Sequence, residues 1–177
     1  MKTNLAIILM MLYSLVAFAS PMPSQSDTSR AALYEVHKDG RIYLFYDTHS
    51  YHDFKQTGHV NYMFSRIGAG PKGETLVFGL TGKDKKKRSG IPSVMIYDGE
   101  HKPTSFYGEA ILEGRIYVFD DYREMQTFRQ TGEAAYRFTD IGSGPNGETV
   151  VFVLTKQNKK KRPDALVKEF KHRNAIN

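Results

Sequence analysis

The sequence predicts an α+β fold of two tandem ββαββ units, each an antiparallel sheet with a helix on one face, plus a C-terminal helix. Three observations carry that prediction. Residues 34–88 return as residues 108–162 at a constant offset of 74, and self-similarity at a fixed spacing marks a repeated structural unit. Short apolar runs alternate with glycine-rich punctuation, the pattern of strands joined by turns. Between the second and third runs lies a segment with helix start and stop signals.

The first hairpin is read as residues 33–37, a turn at Lys38-Asp39-Gly40, and residues 41–46. Asp-Gly between apolar runs favours a tight hairpin. Ile42, Leu44 and Tyr46 alternate with Tyr43 and Phe45, so this second strand is apolar on both faces and belongs inside a sheet. Helices are predicted at Thr48–Thr57 and Tyr122–Thr131. Asp47 and Asp121 can cap the first-turn amides, and Asp121 and Glu124 have capping-box spacing. Gly58 and Gly132 stand where a left-handed residue closes a helix. Tyr51 and Phe54, like Met125 and Phe128, stand three apart on one face, which should meet the sheet.

The third strand holds Tyr62 and Phe64, or Tyr136 and Phe138, and the fourth runs over 75–81 or 149–155. Pro163 opens the C-terminal helix, with Pro92 to Ile96 as a shorter counterpart in the first copy. Residues 33–98 form the first unit, 99–106 a linker and 107–177 the second unit with its helix.

The N-terminus reads as an address. Lys2, the apolar residues 5–18 and Ala17-Phe18-Ala19 have the three-part layout of a secretory signal peptide over residues 1–19, with Ser20 first in the mature chain. Residues 20–32 are expected to be disordered, since Met22 is the one large apolar side chain in 20–30. No later run is long and apolar enough to cross a bilayer, so no stable membrane insertion is expected. The chain has no cysteine, and so no disulfide framework. This suits a periplasm better than an animal extracellular space. The balance of 25 Lys and Arg against 19 Asp and Glu favours anionic partners. Nucleic acid is not expected among them once the protein has left the cytoplasm.

The motifs that could carry chemistry reduce to structure. Residues 68–73 and 142–147 match G-x-G-x-x-G, but a strand pattern follows each where a dinucleotide site needs a helix. They read as turns that need positive φ. Glu74 and Glu148 beside them could form an acid–base pair, but turn-exposed carboxylates are the more ordinary reading. His37, His49, His52 and His59 cluster in the first copy, with His49 and His52 on one helix. Arg123 and Gln126 replace that pair in the second copy, and no third ligand is fixed, so no metal is expected. No nucleophile and base pattern is present, so neither catalysis nor a cofactor is predicted. The most conspicuous polar features are Lys85, Lys86, Lys87 and Arg88 and their copies Lys159, Lys160, Lys161 and Arg162. Such runs must be exposed, and they could bind anions or guard strand edges.

The leader, the Gly-Arg-Ile-Tyr-(Leu/Val)-Phe and Gly-x-Gly-Pro-x-Gly-Glu-Thr-(Leu/Val)-Val-Phe blocks and the trailing lysines together give a layout. It resembles small periplasmic proteins of Gram-negative bacteria, some of them immunity partners of phospholipase-D-type lipase effectors of type VI secretion. The resemblance covers residues 33–162. It implies a periplasmic protein that binds a toxic lipase and occludes its active site. Tyr and Arg commonly anchor such contacts. Tyr51, Tyr122 and Arg123 are therefore the expected anchors, with His49 and His52 as further contacts. The alternative is a cell-envelope module that binds an anionic surface through its lysine clusters.

Overall fold

A computed structural model describes residues 30–176. The leader at 1–19 and most of the 20–32 segment lie outside the described residues. In chain order the elements are β1 (Ala31–Lys38), β2 (Arg41–Phe45), α1 (Thr48–Thr57), β3 (Met63–Arg66), β4 (Thr75–Gly79) and α2 (Pro92–Asp98). Then come β5 (Phe106–Leu112), β6 (Arg115–Phe119), α3 (Tyr122–Thr131), β7 (Tyr136–Asp140), β8 (Thr149–Leu154) and α4 (Asp164–Arg173). Strand β1 begins inside the segment expected to be disordered. Ala31 N–H bonds the Ser105 carbonyl, and Arg30 is held by Glu169 and the Phe106 carbonyl. Phe106, assigned above to the linker, opens the central strand β5.

The two expected antiparallel sheets are one mixed sheet of eight strands, ordered β3-β4-β2-β1-β5-β6-β8-β7. Hairpins β1–β2, β3–β4, β5–β6 and β7–β8 are antiparallel. The pairs β2–β4, β6–β8 and β1–β5 are parallel. Burial explains the difference. Leu76, Val77 and Phe78 of β4 are apolar toward both faces and go inside, beside β2, while β3 exposes Met63 and Ser65 and becomes the edge. Leu33 to Val36 of β1 are all buried, so β1 cannot be an edge, and pairing with β5 covers it.

Helices cover both faces. Tyr51 and Phe54 of α1 share a core with Leu166, Val167 and Phe170 of α4 over Tyr34, Phe45, Val118 and Phe152. Met125 and Phe128 of α3 share the other with Ile96 of α2 over Leu33, Leu44, Phe78 and Phe119. The helices α1 and α3 thus lie on opposite faces, and both cores run across the β1–β5 junction. Their caps are local: Asp47 accepts from Ser50 N–H, Asp121 from Arg123 and Glu124 N–H, and Gly58 and Gly132 end the helices at φ +71° and +75°.

The pairings also fix direction. The strands β2, β4, β6 and β8 point one way, and β1, β3, β5 and β7 the other. One end of the sheet therefore carries the chain's entry at Arg30, the starts of α1 and α3, and the segments after β4 and β8. The opposite end carries a row of four turns: 39–40, 67–74, 113–114 and 141–148.

Candidate functional site

The residues expected to contact a partner do not form one site. Tyr51 has no exposed surface and Tyr122 is 8% exposed, so neither is available as a surface anchor. The cause is the same stripe that seats the helices: Tyr51 shares the face of Phe54, and Tyr122 that of Met125. Tyr122 donates to the Ile96 carbonyl at 2.9 Å. Arg123 is exposed beside Asp121 at 3.6 Å, and His49 is exposed beside Asp53 at 3.4 Å. His52 is half-buried, and burial followed by the charge of Lys55 holds its imidazole below the ordinary range. Because α1 and α3 lie on opposite faces, His49 and His52 are separated from Arg123 by the sheet.

Arg123 does border a cavity of about 740 Å³ between α2 and α3. Tyr97, Asp98, Lys102, Asp120 and Gln126 also line it. Burial pushes the Asp120 carboxyl up and the Tyr97 phenol up to about 12. Asp121 is committed to its cap, and Gln126 is engaged with Arg129 and Tyr122. The walls hold charges of both signs and no nucleophile paired with a base.

The strongest polar clusters are buried, and the sequence reading missed them. Glu35 on β1 and Glu109 on β5 are 1% and 0% exposed, at matching positions of the two units. Glu35 accepts from Arg129 of α3 through Nε at 2.9 Å and a terminal guanidinium nitrogen, with His37 at 3.7 Å. Burial raises its carboxyl, but Arg129 and His37 outweigh this and hold it below the usual range. Glu109 accepts from Tyr51 at 2.8 Å, Tyr107 at 2.5 Å and Asn174 at 2.8 Å. Burial, then Glu109, pushes both phenols well above their usual range. Lys55, the counterpart of Arg129, bonds Asn174 at 2.8 Å. A signal existed: Glu35 and Lys55 both return at the 74-residue offset as a carboxylate and a cation. Both clusters are enclosed and tie one unit's strand to the other unit's helix, so they hold the fold together. Tyr51→Phe removes one donor to a buried carboxylate. It should cost about 1.5–3 kcal/mol, read as a lower denaturant midpoint at unchanged slope.

Two surfaces remain chemically distinct. At the four-turn end, Ile67 and Ile141 are 91% and 84% exposed at matching positions. Their turns are braced from within. Lys72 N–H donates to the Glu74 carboxylate at 2.7 Å and Asn146 N–H to that of Glu148 at 2.8 Å. Gly68 and Gly142 supply φ of +68° and +74°. The glycine motifs are thus hairpin turns. Glu74 and Glu148 stand five strand spacings apart, about 24 Å, too far to act as an acid–base pair. The other surface is the opposite end, where residues 85–88 and 159–162 follow β4 and β8. Among the described residues no three His, Asp or Glu side chains gather as metal ligands, and no helix is long and apolar enough to cross a membrane. Comparison of the chain with known protein families, curated proteins and solved structures gives no match.

Proposed function

We propose that this is a periplasmic immunity protein, exported by residues 1–19, that binds a toxic phospholipase-type effector and occludes its active site without turning over any substrate. It is built from two copies of one ββαββ-derived unit. The reading rests on the resemblance in sequence layout. It is carried structurally by one observation: two braced turns each hold out an isoleucine at one end of a continuous sheet. A rigid scaffold with exposed loops is what an inhibitor requires, and each turn offers an exposed apolar anchor. Ile67 and Ile141 replace Tyr51 and Tyr122 as the expected anchors.

Two measurements test it. The chain is co-expressed with a candidate phospholipase-type effector, with and without residues 1–19. Cells should survive only when the leader is present, because effector and inhibitor must meet in one compartment. Equal protection by the leaderless form, or no complex at any ratio, would sink the reading. In the purified complex the I67D/I141D pair should weaken binding roughly 30-fold or more, the size of one interface hot spot. Unchanged affinity would move the interface elsewhere.

A further inference from the structure

The strand directions bring the two lysine clusters to one end of the molecule, a relation invisible in the sequence. Both follow strands that point the same way, β4 and β8. Five spacings of about 4.8 Å set the ends of those two strands about 24 Å apart. The twist of the sheet rolls them toward opposite faces but leaves both projecting from that end.

One lysine of each cluster is held in the same manner, and each cluster also carries an ion pair of its own. Lys85 lies over the Tyr62 ring at 5.2 Å and Lys159 over the Tyr136 ring at 4.4 Å, one arrangement at matching positions. Lys87 pairs with Asp84 at 2.6 Å and Arg162 with Asp164 at 3.1 Å. Asp84 is tied in turn to the Tyr46 hydroxyl. Tyr62 is 43% exposed, so cations and a half-wet aromatic ring share the rim. Between the clusters lie Asp47 and Asp121, turned to helix amides, half-buried Asp120, and Arg30 on Glu169.

We propose that this end is a docking surface for an anionic phospholipid bilayer. A plane of phosphate headgroups meets both clusters at once, which a single small anion cannot do across about 24 Å. Lysine and arginine runs are drawn to such surfaces, and tyrosine settles at headgroup level. The chain enters the fold at this same end, so the surface that would face the bilayer is also the one that follows the leader. The proposal goes beyond inhibition: it places a second binding surface opposite the two isoleucine turns, and it stands or falls independently of them.

The test is sedimentation of the chain from Ser20 onward, which includes every described residue. The vesicles are phosphatidylcholine alone, or an equal mixture of phosphatidylcholine and phosphatidylglycerol. The protein should sediment with the mixed vesicles, not with the neutral ones, and should be released by high salt. Changing residues 85–88 to Gln should lower partitioning about tenfold or more, since each cation near such a surface contributes several-fold. Changing both clusters should abolish it. The control changes four cations at the opposite end, Lys38, Arg41, Lys72 and Arg115, to Gln, and it should leave binding intact. Circular dichroism checks that each variant is folded. Equal loss from both ends would show attraction by net charge alone and overturn the proposal, as would no binding to the mixed vesicles. Loss of the effector complex on neutralising the clusters, without vesicle binding, would overturn it in favour of an acidic protein face.

Discussion

Replacing Arg129 with Ala is expected to cost about 3–5 kcal/mol of stability, the usual effect of stranding one charge of a buried pair. The Arg129 side chain is 5% exposed; it grips Glu35, bonds Gln126 at 2.6 Å and lies over the Tyr97 ring at 4.2 Å. The pH dependence should also reverse. In the parent protein Glu35 is held below its ordinary value. Its contribution is therefore full above the unfolded carboxyl pKa and is lost as pH falls through the lower folded value. Without Arg129, burial dominates and His37 is the remaining basic side chain beside the carboxylate. The carboxyl is then raised, so the variant should gain stability on acidification from neutral pH toward 5, where the parent does not. Urea midpoints at several pH values decide this. A variant whose acid limb follows the parent's would show that Arg129 is not what holds the carboxylate charged.

The second large effect is expected from cutting the chain between the units. Residues 30–98 and 99–177, made separately, should each fail to show a cooperative transition. A piece of this size buries little surface on its own, and here the cut uncovers β1 and β5. Glu35 would lose Arg129, and Glu109 would lose Tyr51. Tyr34 would lose Arg173, which donates to its hydroxyl at 3.0 Å. Mixing the pieces should restore a folded one-to-one complex. Two halves that melt separately, at midpoints unchanged by mixing, would contradict a shared core.

The sequence made the local elements legible because their signals are local. Asp47 and Gly58, with Asp121 and Gly132, bound helices that run from Thr48 to Thr57 and from Tyr122 to Thr131 as expected. The parallel pairs β2–β4 and β1–β5 were not legible, because they join residues with no turn between them. That missing register hid everything built on it. It hid the single sheet, the opposite faces of α1 and α3, and the shared end of the lysine clusters. Tyr51 shows how the site was misread. Its spacing from Phe54 already placed it toward the sheet, and an aromatic cannot serve both as core and as exposed anchor. Glu35 and Glu109 were passed over because a carboxylate within an apolar run suggests a solvent face. The partners that permit its burial come from the other unit.

The parallel junction of β1 and β5 also sets a clock. Ala31 pairs with Phe106, 75 positions away, and nothing shorter can close the middle of the sheet. Folding slows as contacts become more distant along the chain, and here the first strand has to wait for the fifth. A chain in synthesis therefore cannot complete this sheet until more than half of it has been made. If the leader proposed here exports the chain, that order would be useful: a polypeptide threaded through an export channel must not have folded first, and in this topology the sheet cannot close before the second copy is present.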